Sequence, residues 1–346
     1  MAQQAEFDSI FDQFAQSNSR FAISSIYVIG DSEPVTKTAG TTESDGAITV
    51  ADDARWHIGS ISKTFTATLV MRLAERGRLN LDVPIERYLP AYRKDMHADW
   101  KASTLKELLS HTSGLPANAP RSIMRRTSSH SPYEDRRNVL SAMWGEPLGN
   151  KVGTFTYSNI GYVVAGVIVE EVTGTTWEEL ILSEIAEPFD LTSLGFGAPL
   201  EHDAPRGHRS ILGFKYAVAP ESSNSDNPGW MGPAGSIHLS ITDLARWGQL
   251  HVRACQGRLP NFLSQSSCQM MQSPVTENYG LGWVVQSTEK NGPIIWHNGS
   301  NTMWYAVLSL MPDKDLVVAV ATNVFASDRV DEMVRELSAA LADNVF

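Results

Sequence analysis

Apolar side chains fall at Phe7, Ile10, Phe11 and Phe14, a spacing that predicts a helix from Glu6 to Gln16. Two strand-like runs follow, Phe21 to Ile29 and Val35 to Gly40, parted by the turn residues Gly30, Asp31 and Ser32. A second helix is predicted from near Ser60 through Phe65, Leu69, Val70 and Leu73, stopping at Gly77. From about Leu105 to Met271 the pattern is mostly helical with long irregular loops. Examples are a short helix at Thr104 to Leu109, then Ser158 to Val172 closed by Gly174, and Ile241 to Val252. Strand patterns return at Tyr279 to Gln286, Pro293 to Trp296, Trp304 to Met311 and Leu316 to Thr322, and Val330 to Leu341 predicts a terminal helix.

Both chain ends thus supply strands and a helix, while the middle supplies helices. The expected fold is α+β: one antiparallel sheet built from both termini and flanked by the terminal helices, plus an inserted, mainly helical lobe. A length of 346 residues suits two lobes. The expected boundaries are 1–60 with 272–346 for the sheet lobe and 61–271 for the helical lobe. A cleft between lobes is a favoured place for an active site.

Composition mainly excludes. A chain 42% hydrophobic and 19% charged reads as an ordinary soluble protein. The net charge of −11 argues against a nucleic-acid partner. Apolar runs such as Leu316 to Ala321 are too short to span a bilayer. No signal-peptide pattern is visible, although Met1 can also begin a mature exported chain, so the compartment stays open. The oligomeric state is equally open. Cys255 and Cys268 form no metal-ligand pattern, and a bridge or two reduced thiols both fit. No metal or cofactor is expected. Arg121, Arg125, Arg126, Arg136 and Arg137 read as a solvated loop in preference to an anion-binding lid. His202 and His208 lack a third ligand and read as surface residues.

Candidate chemistry begins with Ser-x-x-Lys, because the usual nucleophile elbow, zinc helix, phosphate loop and dinucleotide fingerprints are absent from the sequence. The motif occurs three times, at Ser60–Lys63, Ser103–Lys106 and Ser287–Lys290. Ser103 opens a polar helix turn and Ser287 precedes the hairpin pair Asn291-Gly292, so both read as surface. Ser60 instead follows Gly59 and opens an apolar helix. Lys63 lies on the same helix face, where desolvation and the helix N-terminus both favour loss of its proton. A neutral lysine can take the hydroxyl proton of Ser60. Alone, Ser60 reads at least as well as a plain N-cap.

Two further elements tip that balance. Tyr157-Ser158-Asn159 is the sole Tyr-x-Asn in the chain. A phenol beside a lysine cation can have a depressed pKa and act as base then acid, and Asn159 offers an amide to a substrate amide. His297-Asn298-Gly299 follows an apolar strand. Gly299 lets a substrate backbone approach, and the N–H groups of Ser300 and Ser60 can form an oxyanion hole. The rival Lys290-Asn291-Gly292 reads as a hairpin tip.

Five runs together resemble the serine β-lactamase and penicillin-recognising superfamily, in its class C-like branch. They are Gly59 to Thr66, Leu108 to Leu115, Phe155 to Asn159, Tyr279 to Trp283 and His297 to Gly299, and the likeness extends from about Ile23 to Asn323. The resemblance implies an α/β sandwich with a helical lobe. It also implies Ser60 as nucleophile, Lys63 as activator, Tyr157 as acid/base, Asn159 as amide contact and the Ser60 and Ser300 N–H groups as oxyanion donors. His111, inside one run, reads as structural. Efficient class C β-lactamases carry lysine where His297 stands, and histidine is mostly neutral at pH 7. The expected activity is therefore hydrolysis of a small ester, amide or D-amino-acid peptide, with at most weak β-lactamase activity. A class C-type β-lactamase, a non-catalytic penicillin-binding sensor and an acyltransferase are the alternatives on this fold. The loops Ala117–Tyr133 and Pro199–Trp230, with Trp304, are candidates to line the pocket.

Overall fold

The computed structural model describes residues 2–44, 46–124, 131–212 and 214–343. Arg125 and Arg126 of the basic loop lie outside them, as does part of each candidate pocket loop.

A six-stranded antiparallel sheet is assembled from both ends of the chain. Its strands are β1 (Ile23–Ile29), β2 (Val35–Ala39), β3 (Val284–Thr288), β4 (Gly292–Ser300), β5 (Tyr305–Met311) and β6 (Leu316–Thr322), in the order β2-β1-β6-β5-β4-β3. The termini join where β1 pairs with β6, from Ile23 opposite Thr322 to Ile29 opposite Leu316. Strands β1, β5 and β6 are buried on both faces, which accounts for their near-continuous apolar sequence. Helices α1 (Ala2–Ser17) and α5 (Ser327–Asp343) cover one face, packing Phe7, Phe11, Val330 and Leu337 against Tyr27, Val318 and Val320. Helix α4 (Ile241–Cys255) covers the other face, although it belongs to the 61–271 stretch. Its last residue, Cys255, is disulfide-bonded to Cys268, so the pair left open by the sequence is a bridge.

The helical lobe centres on α2 (Ser62–Glu75) and α3 (Asn159–Thr173). Both are buried almost all round, as expected of helices whose apolar residues do not form a single stripe. Among the described residues, no helix is long and apolar enough to cross a membrane.

Several expectations need correction. Strand β4 runs through His297, Asn298 and Gly299 to Ser300, well past Trp296, because pairing with β5 continues from Ile295–Leu310 to Ser300–Tyr305. Tyr279 to Trp283 is turn, and the added Cβ of Gly282 would meet Ala67 and the Lys63 carbonyl. Ser103 is buried, its hydroxyl donating to the Asp99 carbonyl. His208 is buried as well: it accepts the Ser44 N–H at 2.9 Å and contacts the Asn323 carbonyl at 2.7 Å. Arg136 and Arg137 are not solvated. Arg136 is fully buried between Glu170 and Glu178, and Arg137 pairs with Glu170 and Glu171. Their partners lie more than thirty residues away in the chain, beyond the reach of local charge patterning.

Candidate active site

The segment Gly59–Ile61 is one turn of 3₁₀ helix, and α2 begins only at Ser62. The cap residue of α2 is Ile61, without a side-chain cap bond, so Ser60 does not serve as its N-cap. Its hydroxyl stays partly exposed and free for other contacts. Ser62 stiffens the turn instead, donating to the Gly59 carbonyl at 2.7 Å and accepting the Ile237 N–H at 3.0 Å.

Lys63 is wholly buried, and its Nζ has three oxygen neighbours. These are Ser60 Oγ at 3.0 Å, Asn159 Oδ1 at 2.7 Å and the Ala234 carbonyl at 2.7 Å. None is a carboxylate. Burial without a counter-charge lowers the Lys63 pKa well below the usual lysine range. A neutral amine fits this geometry completely. Its two N–H bonds reach the two carbonyl oxygens, and its lone pair faces the Ser60 hydroxyl, which then donates.

Tyr157 sits in the stretch leading to α3, whose N-cap is Ser158. Its ring centroid is 4.9 Å from Lys63 Nζ, and its hydroxyl hydrogen-bonds with that of Ser60. A depressed tyrosine pKa was expected beside a lysine cation. The direction is the reverse: burial raises the phenol pKa, and the Ser60 contact offsets only part of that. The phenol therefore stands protonated beside the Ser60 hydroxyl. Asn159 divides its amide, Oδ1 to Lys63 and Nδ2 to Asn118 Oδ1 at 2.7 Å, which brings the Ala117 loop into the site. His111 is buried beside Tyr157, ring centroids 4.2 Å apart, and its Nδ1 accepts the Ser158 N–H. Burial holds it well below the ordinary histidine pKa.

The strand β4 end meets the Ser60 turn backbone to backbone. Gly59 has φ of 50°, and a Cβ there would collide with Ser300 N and Gly299 C. A Cβ on Gly299 would collide in turn with Ile58 O and Ser60 N. The bare face of Gly299 is thus occupied by the Ser60 turn, not left open for a substrate backbone, and Ser300 N is held beside that turn. His297 does not share this edge. It is 2% exposed, with Nε2 3.1 Å from the Tyr279 hydroxyl and Nδ1 2.5 Å from the Asn298 carbonyl. Burial pushes its pKa down to about 3, so both nitrogens are engaged in a neutral ring. Trp304, a candidate pocket residue, is also buried, with its indole N–H on the Pro205 carbonyl.

Sequence reasoning missed several participants. The Ala234 carbonyl carries no side-chain signal, and Asn118 sits in a loop without a motif. Gly59, directly before Ser60, is itself a signal of close backbone approach.

Comparison with known proteins places this geometry in context. The sequence profile of the family described as Beta-lactamase matches residues 7–342. Protein flp of Staphylococcus aureus (strain NCTC 8325 / PS 47) is 23% identical over 349 residues, covering 99% of this chain and 67% of that protein. D-amino acid amidase from Ochrobactrum anthropi SV3, complexed with L-phenylalanine amide, superposes with a TM-score of 0.80 at 19% identity, covering 99% of each chain. A D-stereospecific amidohydrolase from Streptomyces sp. gives a TM-score of 0.75 at 24% identity, covering 95% of this chain and 97% of that one.

Proposed function

The chain belongs to the Beta-lactamase family, and we propose that it is a serine hydrolase that cleaves a small ester, amide or D-amino-acid peptide through an acyl-enzyme on Ser60. The observation that carries this reading is Lys63: a wholly buried amine, 3.0 Å from Ser60 Oγ, whose other neighbours are neutral carbonyl oxygens. Lys63 Nζ takes the Ser60 proton as Oγ attacks the substrate carbonyl carbon. The carbonyl oxygen becomes an oxyanion, received by the N–H groups of Ser60 and Ser300. Collapse breaks the bond to the leaving group, which takes a proton from the Tyr157 hydroxyl. Tyr157 is reprotonated by the lysine ammonium, restoring both groups. Water then attacks the ester, with its proton passing to the same pair, and Ser60 Oγ leaves as the hydroxyl. Asn159 helps to orient Lys63 and stands beside the bound amide. His297 and Gly299 act from behind the oxyanion edge.

The neutral, buried His297 also favours small neutral or zwitterionic substrates over β-lactams, whose carboxylate gains no cation at that position. The names of the two amidohydrolase neighbours agree with such a substrate class. A fluorophosphonate probe should add its mass at Ser60, located by peptide mass spectrometry, and a folded protein unlabelled at Ser60 rejects the mechanism. Catalytic efficiencies on p-nitrophenyl acetate, p-nitrophenyl butyrate and D-alanine p-nitroanilide should exceed that on nitrocefin. The reverse order points to a class C-type β-lactamase, and stoichiometric acylation without turnover to a penicillin-binding sensor.

A further inference from the structure

The turn ahead of Ser60 is anchored by a buried pair that takes no part in these proton transfers. His57 is fully buried, and its Nδ1 accepts the Gly59 N–H at 3.1 Å. An accepting imidazole nitrogen bears no proton, so the neutral ring carries its hydrogen on Nε2. Nε2 lies 2.8 Å from Asp226 Oδ1, too oblique for a linear hydrogen bond but close enough for the carboxylate to favour that tautomer. The same Oδ1 accepts the Asn301 amide at 2.9 Å and the Asn227 N–H at 2.6 Å. Asn301 follows Ser300 directly, and its own Oδ1 accepts the Met303 and Trp304 N–H groups at 3.2 and 3.3 Å. The Trp304 ring closes the circuit by lying over His57, centroids 5.6 Å apart and planes 30° apart.

One carboxylate oxygen therefore reaches both backbone segments that carry the oxyanion donors, through His57 before Ser60 and through Asn301 after Ser300. We propose that Asp226, His57 and Asn301 form a positioning network that sets the separation of the Ser60 and Ser300 N–H groups. The inference rests on the Ser60 hydrolase reading. Gly59 and Gly299 meet without side chains, so no side chain of their own spaces the two donor segments. Oxyanion donors act only when held at hydrogen-bond distance from the developing charge, and displacements near an ångström are expensive in rate. None of the three residues needs to touch substrate.

Two substitutions at His57 separate positioning from plain structural support. His57→Phe keeps a ring over Trp304 and removes both nitrogens, whereas His57→Asn offers an amide oxygen near the Nδ1 position. On p-nitrophenyl butyrate, with active sites counted by fluorophosphonate, His57→Phe should lower kcat by roughly 10–100-fold while KM moves less than about 3-fold. Phenylboronic acid, which forms a tetrahedral adduct on serine, should lose affinity in parallel. His57→Asn should recover most of both losses, and Asp226→Ala should lower kcat by about 10-fold. Should His57→Phe fail to fold, the Asp226→Ala and His57→Asn pair decides alone. His57→Phe or Asp226→Ala protein with a lowered melting temperature but wild-type kcat and boronate affinity per titrated site overturns the positioning role and leaves the hydrolase reading intact. A wild-type protein that fluorophosphonate does not label at Ser60 overturns both.

Discussion

Lys63 and Arg136 are both withdrawn entirely from solvent, yet their surroundings push their pKa values in opposite directions. Arg136 Nη2 lies 2.5 Å from Glu170 Oε1 and 2.7 Å from Glu178 Oε2. Burial alone would lower its pKa, but those hydrogen bonds and charges more than compensate, and the guanidinium stays charged. Lys63 has only the Asn159 and Ala234 carbonyls and the Ser60 hydroxyl, and burial drives it toward the neutral amine. The difference lies in the partners, since burial is the same. A buried cation with carboxylates is a structural clamp, here tying Pro132–Ser141 to α3. A buried amine without them is a base awaiting a proton.

The comparison can be broken first at the clamp. Arg136→Met leaves the buried Glu170 carboxylate with Arg137 as its remaining charged partner and should lower unfolding free energy in urea by about 3 kcal/mol. Turnover per folded molecule should stay at the wild-type value, and a small stability change means that the clamp holds little. At the base, Lys63→Ala and Tyr157→Phe should each lower kcat/KM by at least ~100-fold, as should Lys63→Arg, which adds a cation that cannot give up its proton. Near-normal turnover in Lys63→Arg would show that a neutral amine is not required.

pH sharpens the contrast further. Activity should be complete above the lowered Lys63 pKa and fall as pH drops through it, because the protonated amine can no longer accept from Ser60. His297, at about 3, stays neutral across the working range, so His297→Asn should leave the acid limb of kcat/KM where it was. A limb that moves with that substitution assigns it to His297. The smallest effect is on stability. The folded protein disfavours the Lys63 proton that the unfolded chain binds, so stability rises with pH through this group. Measured against Lys63→Met, wild-type protein should gain stability as pH rises from the lowered Lys63 pKa toward the unfolded lysine value of about 10.4, and lose that gain as pH falls. A pH-independent difference would mean that Lys63 is charged in the fold.

The sheet was readable from both chain ends because β1, β5 and β6 are apolar runs of strand length and each pairs with a neighbour in the layer. The Ser-x-x-Lys and Tyr-x-Asn runs were readable because Ser60, Lys63, Tyr157 and Asn159 are distinctive residue types at short spacings, and the fold brings the four side chains together. Strand β4 was cut short because His297, Asn298 and Gly299 look like a turn until β5 pairs with them. Ser103 and His208 looked exposed because polarity reports a preference for water, whereas a satisfied hydrogen bond removes the need for it.

By itself, then, the sequence determined periodicity, the two-ended sheet and the residue types available for chemistry, since these depend on neighbours a few positions apart. The tertiary structure decided which of those residues are neutral, which are paired and which face each other. It joined Cys255 to Cys268, filled the bare side of Gly299 with the Ser60 turn, and set Asp226 behind His57. It also left Lys63 without a carboxylate while supplying two to Arg136. The physical reason is that desolvation and charge pairing sum over every group packed around an atom, and most of those groups come from distant parts of the chain.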